Sequence, residues 1–310
     1  MGIVVSWAAP PRVLDARDRS PDHEGAPYCR EKYMMKLAAF ADEISPELEE
    51  QIKACRENAV THFELRGAYN KNVLDFEKTL RSEIKAKLDA NGLGVISIGS
   101  PIGKVKITDS WEPHFSRFKL AVESAEFFGA PFIRIFSYYP PEKDKDIRQH
   151  RDEVIRRMEA KVEYIRNHNV TIIHENEKEI YGEKGKQCLD LMQTINSPKF
   201  RSAFDFANFV QAGERPLDMW PSLKPYSVHI HIKDAMLADG KVVPAGQGDG
   251  QIEPILVDLD KSGYTGFLSL EPHLKAAGQF SGFSGPTLFK VAADALKQLC
   301  RKNNIPLAGI

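Results

Sequence analysis

From Lys36 onward the chain alternates short apolar runs, rich in β-branched and aromatic residues, with longer charged stretches of helical period. Eight runs recur: MKLAAFA at 35–41, THFELR at 61–66, GVISIG at 94–99, FIRIFS at 132–137, VTIIHE at 170–175, FRSAFD at 200–205, SVHIHI at 227–232 and GFLSLE at 266–271. Runs of this length, bounded by polar segments, read as buried strands. The intervening segments HFSRFKLAVESAEFFG, DEVIRRMEAKVEYIRNHN and PTLFKVAADALKQLCRKN repeat apolar residues at spacings of three and four, which predicts amphipathic helices. In SPELEEQIKACREN, Ser45 is placed to cap a helix whose first position would be Pro46. Strands that alternate with helices build a parallel sheet. Eight such units without a compositional break predict an α/β fold, a single closed (β/α)8 TIM barrel spanning residues 34–310. An open doubly wound sheet is the competing arrangement, but no glycine-rich phosphate fingerprint follows the first strand.

Residues 1–33 lack this periodicity and are rich in Pro, Arg and Asp, so they read as a flexible N-terminal extension to the barrel. Lys and Arg (42) almost balance Asp and Glu (43), which removes the electrostatic case for a nucleic-acid or membrane-surface partner. No apolar run approaches the roughly 18 residues of a membrane span. The opening MGIVVSWAAPPR has no basic residues ahead of its short apolar stretch, unlike a secretory signal. Cys29, Cys55, Cys188 and Cys300 lie far apart without a C-x-x-C pair, which suits reduced thiols and a cytoplasmic location.

In an eight-stranded βα barrel, chemistry sits where the strands end. The fifth strand ends in HENE, the sixth in FDFAN, the seventh in HIHIKD and the eighth in SLEPH. Glu175, Asp205, His231 and Glu271 thus place three carboxylates and one imidazole on consecutive strands. His229 and His231, two positions apart, share one strand face, with His231 nearer the catalytic end. Singly, each has an ordinary reading as a helix cap, a loop ion pair or a satisfied core histidine. Together, three carboxylates converging in a low dielectric repel one another unless protonation or a cation relieves them. One divalent metal is the economical remedy. Oxygen ligands with a single nitrogen suit Mn²⁺, Mg²⁺ or Co²⁺, and Zn²⁺ remains a candidate.

The barrel order combined with HENE, FDFAN, HIHIKD and SLEP resembles the sugar isomerase and epimerase superfamily with a xylose-isomerase-like TIM barrel, over roughly residues 35–305. That superfamily includes ketose 3-epimerases, hydroxypyruvate isomerases and inosose-processing enzymes. The resemblance implies metal positions at Glu175, Asp205, His231 and Glu271. Two positions depart from ketose 3-epimerases, which carry a histidine where this chain has Asn208, and an arginine downstream of the seventh-strand histidine, where KDAML offers only Lys233. The resemblance also extends to C-glycoside-cleaving lyase subunits and to proteins acting on 3-keto sugars.

The expected function is a metal-dependent isomerase or epimerase of a keto sugar or related polyol. Glu175 and Glu271 would move the proton beside the carbonyl through a metal-stabilised enediolate. A lyase acting on 3-keto glycosides and a non-catalytic sugar-binding barrel are the alternatives. An abasic-site nuclease of related fold would need more histidine ligands and a basic groove. Around the centre, Arg134 either orients a sugar hydroxyl or pairs with Glu64 or Glu163. Asn208 and Lys233 are placed to hydrogen-bond substrate, with solvation at the rim as the plain reading of Lys233. Glu177 shares the face of Glu175 if the strand continues, or caps the next helix. PAGQGDGQI at 244–252 closes over the mouth or forms a simple turn. The expected partner is a small sugar, and a homo-oligomer is compatible with the sequence.

Overall fold

The computed structural model describes residues 34–143, 145–274 and 284–309; the expected extension at 1–33 and Cys29 lie outside the described residues. Eight parallel strands close into a barrel: β1 (Lys36–Ala39), β2 (His62–Leu65), β3 (Gly94–Gly99), β4 (Phe132–Ile135), β5 (Thr171–Glu175), β6 (Phe200–Asp205), β7 (Ser227–Ile232) and β8 (Phe267–Leu270). They neighbour one another in chain order, and β8 pairs with β1 to complete the circle. Each of the eight apolar runs forms one of these strands.

The outer layer comprises α1 (Leu48–Glu57), α2 (Lys78–Ala90), α3 (Trp111–Phe128), α4 (Arg151–Tyr164), α5 (Gly185–Ile195), α6 (Phe206–Gln211), α7 (Pro216–Leu223), α8 (Ile252–Lys261) and α9 (Gly285–Lys302). One helix starts later than its sequence signals suggest. The Ser45 hydroxyl accepts the Glu47 N–H at 3.1 Å, so Ser45 turns the chain ahead of α1, and Glu47 occupies the cap position. None of the helices among the described residues is long and apolar enough to cross a membrane.

Period-two alternation divides each strand between two environments. Phe63, Leu65, Ile133, Ile135, Phe204, Ile230, Leu268 and Leu270 join the hydrophobic core. Burying each such side chain contributes about 1.5–3 kcal/mol. The intervening Glu64, Arg134, His229, His231 and Ser269 are buried polar groups that meet inside the barrel, as the 2.8 Å contact between His229 Nε2 and Glu64 Oε2 shows. Below the barrel, Leu307 bridges to Met35, and the Ala308 N–H donates to the Met35 carbonyl at 2.9 Å.

Above the barrel, a short antiparallel ribbon pairs Asp234–Ala235 with Val242–Val243. Its continuation through residues 244–250 wraps the buried Asp234 carboxylate, which accepts N–H groups from Gly246, Gly248 and Gly250 at 2.8, 3.0 and 2.8 Å. A Cβ at Gly248 would stand 2.5 Å from the Ala235 carbonyl oxygen, and one at Gly250 would stand 2.6 Å from Asp234 Oδ1. The glycines of PAGQGDGQI therefore permit a turn around Asp234.

Candidate active site at the strand ends

Glu175 closes β5, Asp205 closes β6, His231 lies on β7, and Glu271 follows β8. The barrel brings all four together: each offers a ligand atom, and these atoms lie within 4.8 Å of one another. His231 Nδ1 faces the three carboxylates, 3.4 Å from Glu175 Oε1, 3.9 Å from Asp205 Oδ2 and 3.7 Å from Glu271 Oε2. Ligand atoms about 2.1 Å from a shared cation stand about 3.0–3.4 Å apart, so this arrangement needs little contraction to hold one. Asp205 Oδ2, with the Lys233 ammonium beside it at 3.0 Å, and His231 Nδ1 are buried without a hydrogen-bond partner, as metal-ligating atoms would be. The donor set and these orphaned atoms fit a divalent metal.

At about 4–5 Å two unit charges of like sign repel by about 3–4 kcal/mol even at an effective dielectric of 20. Three cations oppose this repulsion. Arg134 Nη1 donates to Glu175 Oε2 at 2.7 Å, and Lys233 Nζ lies 3.0 Å from Asp205 Oδ2 and 3.2 Å from Glu271 Oε2. The His231 imidazole sits between Glu64 and Glu175, whose charges raise its pKa well above the ordinary histidine value against the effect of burial. Burial disfavours ionised Glu175, but the charges of His231 and Arg134 hold it well below the usual carboxylate range. Burial acts on Glu271 in the same way, and the Lys233 ammonium outweighs it to hold that group at about 2. Asp205 is instead pushed up to about 7 by burial, with Lys233 opposing and the neighbouring glutamates reinforcing the rise. Fully ionised, Glu64, Glu175, Asp205 and Glu271 carry one charge more than Arg134, Lys233 and the His231 imidazolium. Exchanging the imidazolium proton for a divalent ion would cancel that excess.

Arg134 pairs with Glu175, not with Glu64 or Glu163, which corrects the partner suggested by the sequence. Its guanidinium lies against the rings of Phe40 and Phe136 at 5.0 and 4.5 Å. Asn208 hydrogen-bonds the cluster itself: Nδ2 donates to Glu175 Oε1 at 3.2 Å and to the Asn176 carbonyl at 2.8 Å, while its backbone N–H donates to Asp205 Oδ1, the cap of α6, at 2.7 Å. β5 ends at Glu175, and Glu177 pairs with Lys104 at 2.9 Å at the mouth, so it neither extends the strand nor caps a helix.

Sequence reasoning missed a supporting ring. Glu64 Oε2 accepts from His229 Nε2 at 2.8 Å and Ser269 Oγ at 3.0 Å, and stands 3.2 Å from His231 Nε2. His231 is thereby left with Nδ1 directed at the ligand carboxylates. Asn176 exchanges two 2.9 Å hydrogen bonds with the Asp205 backbone and fixes the start of α6. On the other flank, Arg66, Glu43 and His273 surround Glu271: His273 Nδ1 lies 3.2 Å from Glu43 and 3.5 Å from Glu271, and Arg66 Nη1 lies 3.9 Å from Glu271. Burial pushes Glu43 up to about 8 despite Arg66. The alternation of HIHIKD pointed to His229 as an inward group, but no local signal marks Glu64 as its partner across the barrel.

A cavity of about 510 Å³ opens over the cluster, with Glu271, Lys233, Asn208 and Arg134 in its wall. Of the two candidate proton-transfer glutamates, Glu271 lines this cavity. Glu175 lies behind it, 1% exposed, with Arg134 and Asn208 on its carboxylate.

The family model for xylose isomerase-like TIM barrels matches residues 52–299. The 3-dehydroshikimate dehydratase of Bacillus anthracis is 22% identical over 213 residues, 68% of this chain and 72% of that protein. Among solved structures, a D-tagatose 3-epimerase-like protein superposes with a TM-score of 0.70 at 16% identity, covering 87% of this chain and 98% of that one. IOLI protein with a bound zinc atom gives 0.69 at 16% identity, covering 87% and 99%. With its closed eight-stranded barrel and a family match across most of its length, the chain belongs to the xylose isomerase-like TIM barrel family.

Proposed function

We propose that this protein is a divalent-metal-dependent carbohydrate isomerase or epimerase that removes a proton from the carbon beside a substrate carbonyl. The observation that carries this reading is the buried quartet Glu175, Asp205, His231 and Glu271, whose ligand atoms converge beneath a cavity that Glu271 itself lines. When bound there, a divalent cation supplies Lewis-acid polarisation of the carbonyl. Glu271, ionised at neutral pH, takes the proton on the cavity side. Returned by Glu271 to the adjacent carbon, that proton completes isomerisation; epimerisation needs a second proton delivered to the opposite face, and Glu175, held by Arg134 and Asn208 behind the cavity wall, would have to be protonated to supply it. Lys233 and Arg134 bind substrate oxygens from the cavity wall. Manganese, magnesium, cobalt and zinc all suit this donor set.

A second reading, elimination of water from a β-hydroxy ketone, is favoured by the unequal exposure of the two glutamates. Glu271 would take the C–H proton, the C–O bond would break as the C=C forms, and Lys233 Nζ, 3.2 Å from Glu271, would protonate the departing hydroxide. The dehydratase among the relatives makes this reaction class the natural competitor.

Solvent deuterium incorporation beside the carbonyl tests the shared step. Metal-loaded protein should exchange that hydrogen in its substrate. Glu271→Gln, which keeps a ligand oxygen but cannot accept the proton at neutral pH, should lose about 10²- to 10⁴-fold in rate. Exchange with inversion or carbonyl migration identifies the isomerase class, whereas a new conjugated C=C absorbance identifies elimination. Turnover without C–H exchange would remove both readings.

A further inference from the structure

The cavity wall contains six cationic side chains, Arg66, Lys104, Arg134, Lys178, Lys233 and Lys241. Four are already matched. Arg134 meets Glu175, Lys233 meets Asp205 and Glu271, Lys104 meets Glu177 at 2.9 Å, and Arg66 meets Asp42 at 2.7 Å. Lys178 and Lys241, both exposed at the outer end, have no carboxylate partner among the described residues. Lys178 follows β5, while Lys241 sits on the ribbon that overhangs the mouth. That ribbon is braced where Gln211 Nε2 donates to the Gly240 carbonyl at 2.7 Å and the Met236 N–H donates to the Lys241 carbonyl at 2.9 Å. A neutral sugar leaves these two ammonium groups unanswered. An oxyanion at the outer end of the same cavity would answer both.

Resting on the proton-abstraction reading above, we propose that the substrate is an anionic keto compound. Its carbonyl end faces Glu271, and a carboxylate or phosphate group at its other end is held by Lys178 and Lys241. A volume of about 510 Å³ accommodates a small monosaccharide-sized molecule with such a group. The unmatched lysines also raise the local concentration of an approaching anion, an effect that added salt screens.

The test is calorimetric binding to the metal-loaded full chain of three probes: neutral D-tagatose, D-tagatose 6-phosphate and the carboxylate 3-dehydroshikimate. At least one anion should bind more tightly than D-tagatose, and the one preferred identifies phosphate or carboxylate as the recognised group. In Lys178→Ala/Lys241→Ala that anion should bind about tenfold more weakly, the sum expected from two exposed ion pairs, while D-tagatose is unaffected. Raising the salt should reproduce the loss in the parent protein and not in the double variant. No preference for either anion, binding by none of the probes, or a preference that survives the double substitution overturns the proposal. Deuterium exchange measured on the same samples separates the two claims. Anion preference without C–H exchange upholds the lysine site and rejects the reaction, whereas exchange of D-tagatose with no anion preference does the reverse.

Discussion

At the barrel mouth, buried cations face buried carboxylates: Arg134 is matched by Glu175, and Lys233 by Asp205 and Glu271. Lys161, on α4 in the outer layer, is as deeply buried and has no carboxylate partner among the described residues. Its amine meets the Tyr138 hydroxyl and the Arg157 carbonyl, the latter at 3.3 Å, beside the Trp111 ring at 5.0 Å. The two regions resolve the same cost in opposite ways. Burial, reinforced by the charges of Arg157 and Arg156, pushes the Lys161 amine well below the usual lysine range, whereas the carboxylates around Lys233 raise its value well above that range despite burial. A buried ion thus persists where it is countered, and is driven toward neutrality where it is not. The mouth is therefore the region in which several buried charges remain ionised, Glu175 and Glu271 among them, and deprotonated carboxylates are what a metal requires of its oxygen ligands.

The sharpest way to break this comparison is to remove the imidazole. His231→Ala takes away the one nitrogen donor and brings Glu175, Asp205 and Glu271 together with less compensation. Metal affinity, measured by competition with a chelator, should fall by more than the roughly 10- to 100-fold typical of lost outer-shell partners. Unchanged affinity would separate this histidine from the cation site.

Glu64→Gln is the milder version. Glutamine can still accept from Ser269 and His229, but it no longer places a negative charge 3.2 Å from His231 Nε2. Because Glu64 does not line the cavity over the cluster, its effect should pass through the imidazole: metal affinity drops about 10- to 100-fold while the fold is retained. Loss of metal affinity equal to that of His231→Ala would mean that Glu64 itself is a ligand.

The same contrast shows what could be read in the sequence. The barrel was legible because period-two and helical patterns are local, and each of the eight runs carries its own signal. The convergence of Glu175, Asp205, His231 and Glu271 was legible because strand ends meet in this architecture, so sequence position implied proximity. Glu64 escaped because its partners His229 and Ser269 are 165 and 205 residues away, across the barrel. Arg134 was assigned the wrong partner for the same reason: charge type predicts that an ion pair forms, but the β4–β5 register determines that Glu175 receives it. Lys161 gave no warning, since a lysine in the charged sequence RRMEAKVEY ordinarily faces water.

The smallest expected effect lies with Lys161, and it tests the other half of the comparison. A lysine whose folded pKa lies below its unfolded value of about 10.4 binds its proton more readily in the unfolded chain. Stability from this group therefore increases as pH rises through the window between the folded and unfolded values, and is lost as pH falls through the same window. Lys161→Met has nothing to titrate. Urea unfolding of both proteins between about pH 7 and pH 10 should show the parent gaining on the variant with rising pH, with a limiting slope of about 1.4 kcal/mol per pH unit inside the window. The other lysines and tyrosines titrate in both proteins, so the difference isolates this amine. Methionine also gives up the contacts to the Tyr138 hydroxyl and the Arg157 carbonyl, which offsets the two curves by a constant without altering their relative slope. Parallel curves would show that Lys161 remains charged when buried, and the distinction between countered and neutralised charge would no longer set the mouth apart.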